Sequence, residues 1–390
     1  RLKELVEAYN EKAAAHDAAN PAQSIHNQLL AGDAVSEITY KLYSFCSLAE
    51  SVNSADKNAV AYMEKIEKLL NENTKAATAF EHFVAQVEDL ESLIASDELL
   101  GEYAYRLRRI KEFAAHKRSE EVEDIIAKLD LSGASAWARQ HGYLTSMLKV
   151  EYDGKQTTLS AIRNLAYAKE ESVRRAAYEA ELASYEKIKD AIAFSLNNIK
   201  QQVLTMVGLR GYASPIEMTL KKSRMKRETL DAMFAAMKEY FPKFWQYLRR
   251  KGELLGHKNG LPWYELFAPM GESSRTFTAE EARDYLIGIF SGFAPDLADM
   301  VKRAFDQSWI DFYPREGKRG GAFCADVYCL RQSLILTNFD GSLSDVVTLA
   351  HELGHAYHNE QIFDNRIGNT GYPMPVAETA SNFNETVVMD

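Results

Sequence analysis

At 390 residues the chain is too long for one small core, and its 46% hydrophobic and 26% charged content is that of an ordinary globular protein. A net charge of −10 argues against a general nucleic-acid binder, which must neutralise phosphates, and no uninterrupted apolar run of about 18 residues offers a membrane span. The three cysteines, Cys46, Cys324 and Cys329, form no disulfide framework or C-x-x-C clip, and no signal peptide opens the chain, so buried free thiols in a reducing cytoplasm are expected.

The chain opens on Arg1 rather than Met, and Asp390 falls inside a helix-like pattern, so both ends are expected to be cuts. Residues 1–130 read as helix after helix. In "AYMEKIEKLLNENTKAATAFEHFVAQVEDLESLIA", apolar positions recur at Met63, Ile66 and Leu70, then at Phe80, Phe83, Val84, Val87 and Leu90. That stripe, with few Gly or Pro residues, predicts a bundle of long antiparallel helices. "DLSGASAWARQ" breaks the pattern at Asp130 to Gln140. "LKVEYDGKQTTL" then alternates Leu148, Val150 and Tyr152 before Asp153-Gly154, a short hairpin. One long helix is expected from about Lys169 to Met206 and another from about Lys226 to Leu255. The basic run "KKSRMKR", Lys221 to Arg227, reads as a solvated helix end, with steering of anionic substrate groups as the alternative. Trp137, Trp245, Trp263 and Trp309 are widely spaced and read as core or interface anchors.

After Gly256 the texture changes, with Gly, Pro and aromatics frequent. "QSLILTNF", Gln332 to Phe339, is a strand candidate, and a helix is expected to start near Ser344 or Asp345 as N-cap. That helix carries "TLAHELGHAYHNE". His351 and His355, four apart, lie on one helical face and can aim two imidazoles at one zinc ion. Glu352 sits on the flank of that face, where it can reach a water bound to the metal and act as general base. The surrounding run is apolar at Val346, Val347, Leu349, Ala350 and Leu353, so the histidines are buried and need partners. Gly354 in mid-helix is unfavourable by about 1 kcal/mol relative to Ala, which suggests a close approach to its backbone.

A catalytic zinc needs a third protein ligand and an open position. The metzincin pattern requires Gly at 358 and His at 361; the chain has His358 and Gln361, and the inverted H-x-x-E-H motif is absent. A downstream carboxylate remains. Glu360 lies too far along the same helix, and Asp364 falls in a loop. In "GYPMPVAETASNFNETVV", Pro373 and Pro375 can initiate a second helix with Glu378 in its first turn, and Glu378 is the preferred ligand. Glu385 or Asn382 could orient a ligand imidazole from behind; a solvated surface carboxylate is the plainer role for Glu385. His358 is too far along the helix to ligate the same ion, and either contacts substrate or makes a structural hydrogen bond.

These residues carry a resemblance. "TLAHELGHAYH" followed by "AETASNFNE", together with "GKRGGAFC", "LTNFDGSLSDVV" and "SGASAWAR", resembles the thimet-oligopeptidase-like zinc metallopeptidases, and within them the oligoendopeptidase F group. The likeness spans roughly residues 115 to 390. It implies one zinc ion per chain held by His351, His355 and Glu378, with Glu352 as catalytic base. It implies a mainly α, multi-helical zincin (gluzincin) fold with a small β-sheet beside the zinc helix. Gly320, Gly321, Ala322 and Phe323 would form an extended edge along the substrate. The expected substrates are short peptides admitted to a channel between helical walls, with no nucleic-acid or membrane partner. The implied division is an N-terminal helical region at 1–115, a helical wall with a hairpin at 116–208, and the first part of the catalytic domain at 209–390. Family members continue past this point with Tyr and His groups that stabilise the oxyanion, so the C-terminal part is expected to be missing here. The competing expectation is a metal-binding helical scaffold, or an inactive fragment of such a peptidase.

Overall fold

The computed structural model describes residues 1–271 and 275–389, so Asp390 lies outside the described residues. The first part is helical: α1 (Leu2–Ala14), α2 (Pro21–Val52), α3 (Lys57–Asn71), α4 (Thr74–Gln86), α5 (Leu90–Ala95), α6 (Glu98–Glu102), α7 (Ala104–Phe113), α8 (Glu120–Ser132) and α9 (Ala134–Met147). Only α2, with 32 residues, is long. The apolar stripe is cut at Glu72–Asn73 and again at Val87–Asp89, where Asp89 accepts from Ser92 N and caps α5. Short helices therefore wrap α2, burying Ile25, Leu29, Phe80, Leu100 and Leu107 on one flank and Val6, Val35 and Ile66 on the other.

The hairpin β1 (Lys149–Tyr152) and β2 (Lys155–Thr158) forms at the expected place. Asp153 and Gly154 both take positive φ, 49° and 69°, the primed turn that matches strand twist. After α10 (Leu159–Asn164), the expected single helix is two, α11 (Glu171–Tyr185) and α12 (Lys189–Leu209). Lys187 N and Ile188 N bond three residues back, to Ser184 O and Tyr185 O, which tightens and ends the first helix. The break lets α11 pack on the hairpin and α12 on α9. The basic run joins α13 (Pro215–Ser223) to α14 (Arg227–Leu254), with Arg224 in the left-handed region at the corner. Its residue Lys221 meets His116 at 3.0 Å.

Helix α14 stands exposed along nearly all of its length, with Met233, Phe234, Met237, Phe244 and Trp245 open to solvent. Trp245 and Trp263 are thus not core anchors; Trp309, 4% exposed, is. Amphipathic patterning marks which face of a helix is apolar, not whether another element covers it. The thiols differ likewise: Cys46 is buried but Cys329 is exposed.

The last third packs α15 (Ala279–Phe293) and α16 (Pro295–Asp306) against β3 (Ile310–Asp311), β4 (Phe323–Val327), β5 (Gln332–Leu336), α17 (Leu343–Ile362) and α18 (Met374–Met389). The sheet order is β3-β5-β4, with β4 antiparallel to β5 and, among the described residues, one of its edges unpaired. Leu286, Phe290, Met300, Ile335, Leu349 and Leu353 form its core. The N-cap of α17 is Ser342, not Ser344 or Asp345. Asp345 is the third residue of a capping box: Ser342 Oγ accepts from Asp345 N at 3.1 Å, and Asp345 Oδ2 accepts from Ser342 N at 3.0 Å. Among the described residues, no helix is long and apolar enough to cross a membrane.

Candidate metal centre

Helices α17 and α18 cross at Gly354. A β-carbon there would stand 2.6 Å from the Ala380 carbonyl oxygen and 2.7 Å from Ser381 Cα. The backbone of α18 is therefore what approaches this glycine. Asn384, 3% exposed, donates from Nδ2 to the Ala350 carbonyl at 3.2 Å and ties the helices one turn away.

This crossing brings together His351, His355 and Glu378. The two Nε2 atoms are 3.2 Å apart, and Glu378 Oε2 lies 3.3 Å from His351 Nε2 and 3.5 Å from His355 Nε2. Behind the trio, His351 Nδ1 donates to Glu385 Oε1 at 2.5 Å. A carboxylate only accepts, so this bond fixes the tautomer and leaves His351 Nε2 of the neutral ring as a lone pair. Two acceptors, His351 Nε2 and Glu378 Oε2, then converge with His355 Nε2, an arrangement that a cation satisfies once His355 too presents its lone pair. Ligands about 2.0–2.1 Å from a tetrahedral ion stand roughly 3.3 Å from one another, so the donor set fits a divalent metal. Ser381 Oγ donates to Glu378 Oε2 at 2.8 Å and steadies the carboxylate.

Glu352 is 5% exposed, and among the described residues its Oε2 has no hydrogen-bond partner. Burial, reinforced by Glu378 and Glu385 and opposed by His351, pushes its carboxyl from 4.5 up to about 7. Burial and the adjacent His351 also hold His355 below the usual histidine range. The linkage has a definite sign. Glu352's folded value lies above its unfolded one, so its contribution to stability is fully present below 4.5 and is lost as pH rises through 7. Chelator-treated protein should lose about 3 kcal/mol between those limits relative to Glu352→Gln. Parallel pH dependences of Tm in the two proteins would show that the carboxyl is solvated.

The remaining site candidates are distributed as follows. Asn382 is exposed and, among the described residues, has no side-chain hydrogen bond to the histidines; the packed stripe of α18 runs instead through Ser381, Asn384 and Val388. Glu360 pairs with Arg303 at 2.6 Å, and Asp364 pairs with Arg331, both away from the trio. Glu378 is the fifth residue of α18, just past the first turn in which it was expected. His358 packs on Tyr372 with ring planes tilted 31° and centroids 4.4 Å apart, and its Nδ1 is buried without a partner among the described residues. Gly320, Gly321 and Ala322 line a cleft of about 1060 Å³ together with Asn338, Asp345 and Thr348. That cleft reaches α17 one turn before His351, although none of the trio lines it. Phe323 opens β4. The sequence did not single out Ser381, Asn384 or Tyr372, although Ser381 lies three beyond Glu378, on the same side of the helix as it.

Comparison with known proteins adds to this geometry. Residues 164–390 match the family described as Peptidase family M3, and residues 85–149 match one described as Oligopeptidase F. The chain is 24% identical over 385 residues to Oligopeptidase PepF of Bacillus subtilis (strain 168), covering 95% of this chain and 56% of that protein. It is 25% identical over 402 residues to an oligoendopeptidase F homolog of Lactococcus lactis subsp. lactis, covering 100% of this chain and 66% of that protein. The chain thus spans 56% to 66% of the length of these curated relatives. The crystal structure of oligoendopeptidase-F from Enterococcus faecium superposes with a TM-score of 0.63 at 18% identity, over 99% of this chain and 65% of that one. This likeness carries the fold.

Proposed function

The chain belongs to peptidase family M3, and from that premise we propose that it is a zinc-dependent endopeptidase acting on short peptides. The observation that carries the reading is the convergence of His351 Nε2, His355 Nε2 and Glu378 Oε2 beside a buried, unpartnered Glu352. The pairing of a closed donor trio with a free carboxylate supports catalysis over scaffolding, because a structural metal site needs no base.

His351, His355 and Glu378 would hold the ion. Bound zinc supplies Lewis acidity towards the scissile carbonyl and acidifies the attacking water. Glu352, whose carboxyl sits near neutrality, accepts a proton from that water as it attacks and returns it to the leaving amine. Glu385 holds the His351 ring in one tautomer and one orientation. The unpaired edge of β4 offers backbone donors and acceptors to an extended peptide, and such bonds ignore side-chain identity.

The test is cleavage of a quenched-fluorescent oligopeptide, with zinc content read on the same sample and a chelator control. Bound zinc with no chelator-sensitive cleavage would turn the reading to a metal-binding scaffold. Glu378→Ala should weaken zinc binding by about 100-fold or more in a chelator competition. Unchanged affinity would move the third donor elsewhere. It would not move it to Asp364 without breaking the pair with Arg331.

A further inference from the structure

A second recess, about 410 Å³ in volume, lies between α2 and β4. Phe323, Ala325 and Asp326 line it from β4. Successive side chains of a strand point to opposite faces, so a recess touched by both Ala325 and Asp326 sits at the strand's unpaired edge. From α2 come the hydroxyl-bearing Thr39, Tyr40, Tyr43, Ser44 and Ser47 with Leu48, and α3 adds Leu70, so the walls are mostly apolar with hydroxyls set among them. No Lys or Arg lines it. Two backbone bonds hold the loop before β4 against the end of α2, Ser54 N to Gly317 O at 2.8 Å and Arg319 N to Ser51 O at 2.8 Å.

Asp326 is the unusual group here. It differs from Asp33, which faces Arg366, from Asp311, which holds Lys318 and Arg315, and from Asp364, which holds Arg331. Asp326 is half-buried and, among the described residues, its carboxylate has no salt bridge and no side-chain partner. Burial alone raises its pKa, with no neighbouring positive charge to offset it. Thr39 Oγ1, in the facing wall, is buried and equally without a partner. A half-buried carboxylate at the edge of mostly apolar walls favours a hydrogen-bond-donating cation carried on an apolar stem or backbone. Burial, with the Asp326 charge behind it, pushes the Tyr372 phenol up to about 12.

We propose that this recess is a specificity pocket for a cationic group of the peptide, either a Lys or Arg side chain or the terminal ammonium, with Asp326 as its counter-charge. The proposal rests on the peptidase reading above. A peptide added to the edge of β4 would pass the mouth of the recess, and its backbone would set how deep a side chain enters. The net charge of −10 attracts any cationic peptide over distance, so the local contribution is the part that disappears with Asp326.

The experiment measures equilibrium binding of fluorescent peptides by anisotropy to zinc-loaded Glu352→Gln protein, which prevents turnover. Peptides differ by Lys against norleucine at each position in turn, and by a free against an acetylated amino terminus. The expected result is about tenfold tighter binding of one cationic form, lost in the added Asp326→Asn change and kept in Asp326→Glu. The position series and the acetylated arm tell a side chain from the terminus. Norleucine-peptide affinity within about twofold across the variants shows that the recess is still folded. Equal affinities for Lys and norleucine peptides and for both terminal forms, no binding of any peptide, or a preference that survives Asp326→Asn, would overturn the proposal. Turnover of the norleucine peptide by the unsubstituted chain tests hydrolysis separately. Selective binding without turnover would remove the peptidase reading and leave the pocket standing.

Discussion

Replacing Glu352 by Gln should leave zinc bound at about one equivalent and lower kcat on a peptide by about 1000-fold. Gln matches Glu in shape, so the packing of α17 survives. What disappears is the only property the mechanism requires of this side chain, the ability to accept a proton. The carboxyl is suited to that task because the fold withholds solvent and hydrogen-bond partners from it, and its pKa rises to about 7. A general base works best when its pKa lies near the working pH. The same burial makes the residue a liability to stability above neutrality, so the Gln protein should be the more stable of the two once metal is removed. Zinc lost together with activity would mean that Glu352 is a ligand. Retained activity would place the base elsewhere.

Gly354→Ala tests the framework. Helix propensity alone gives Ala an advantage of about 1 kcal/mol over Gly in a helix interior. Packing opposes it: the new methyl would stand 2.6 Å from the Ala380 carbonyl oxygen and 2.9 Å from its carbon. These neighbours are backbone atoms of α18 and cannot rotate away, so the helices must separate. Overpacking of this kind costs about 1–3 kcal/mol, which outweighs the propensity gain. Glu378 and Glu385 both ride on α18, so separation lengthens the contacts with both histidines at once. We expect a lower Tm, zinc affinity reduced by about tenfold or more, and activity down by about 100-fold. A raised Tm with unchanged zinc affinity would mean that the helices do not meet at this residue.

The meeting of His351, His355 and Glu378 was legible in the sequence because the information is local. The four-residue spacing of His351 and His355 fixes their shared face, Pro373 and Pro375 announce the next helix, and Gly354 announces that something lies against the first. The choice of Asn382 failed for a local reason. Ser381 and Asn384 follow the packed stripe of α18, and Asn382 falls outside it. The break between α11 and α12 was not legible, since "ASYEKIKDA" contains no Gly or Pro; tertiary packing against the hairpin and α9 overrides the propensity of each residue. Asp326 was invisible as a site residue for a different reason. A single acid in a strand says nothing until α2, far away in sequence, is laid beside it.

That last contrast bears on the order in which the molecule gains its properties. The trio and its orienting carboxylate come from two consecutive helices, and His351 and Glu385 are 34 residues apart. The recess joins positions 39–48 to positions 323–326. Closing a loop roughly ten times longer adds about 2 kcal/mol of chain entropy. The hairpin of α17 and α18 can therefore form first, and a metal that binds it adds its binding energy to that early structure. A refolding chain should capture its ion before it can tell one peptide from another. On the way back, mild denaturant should erase selectivity while the ion is still held.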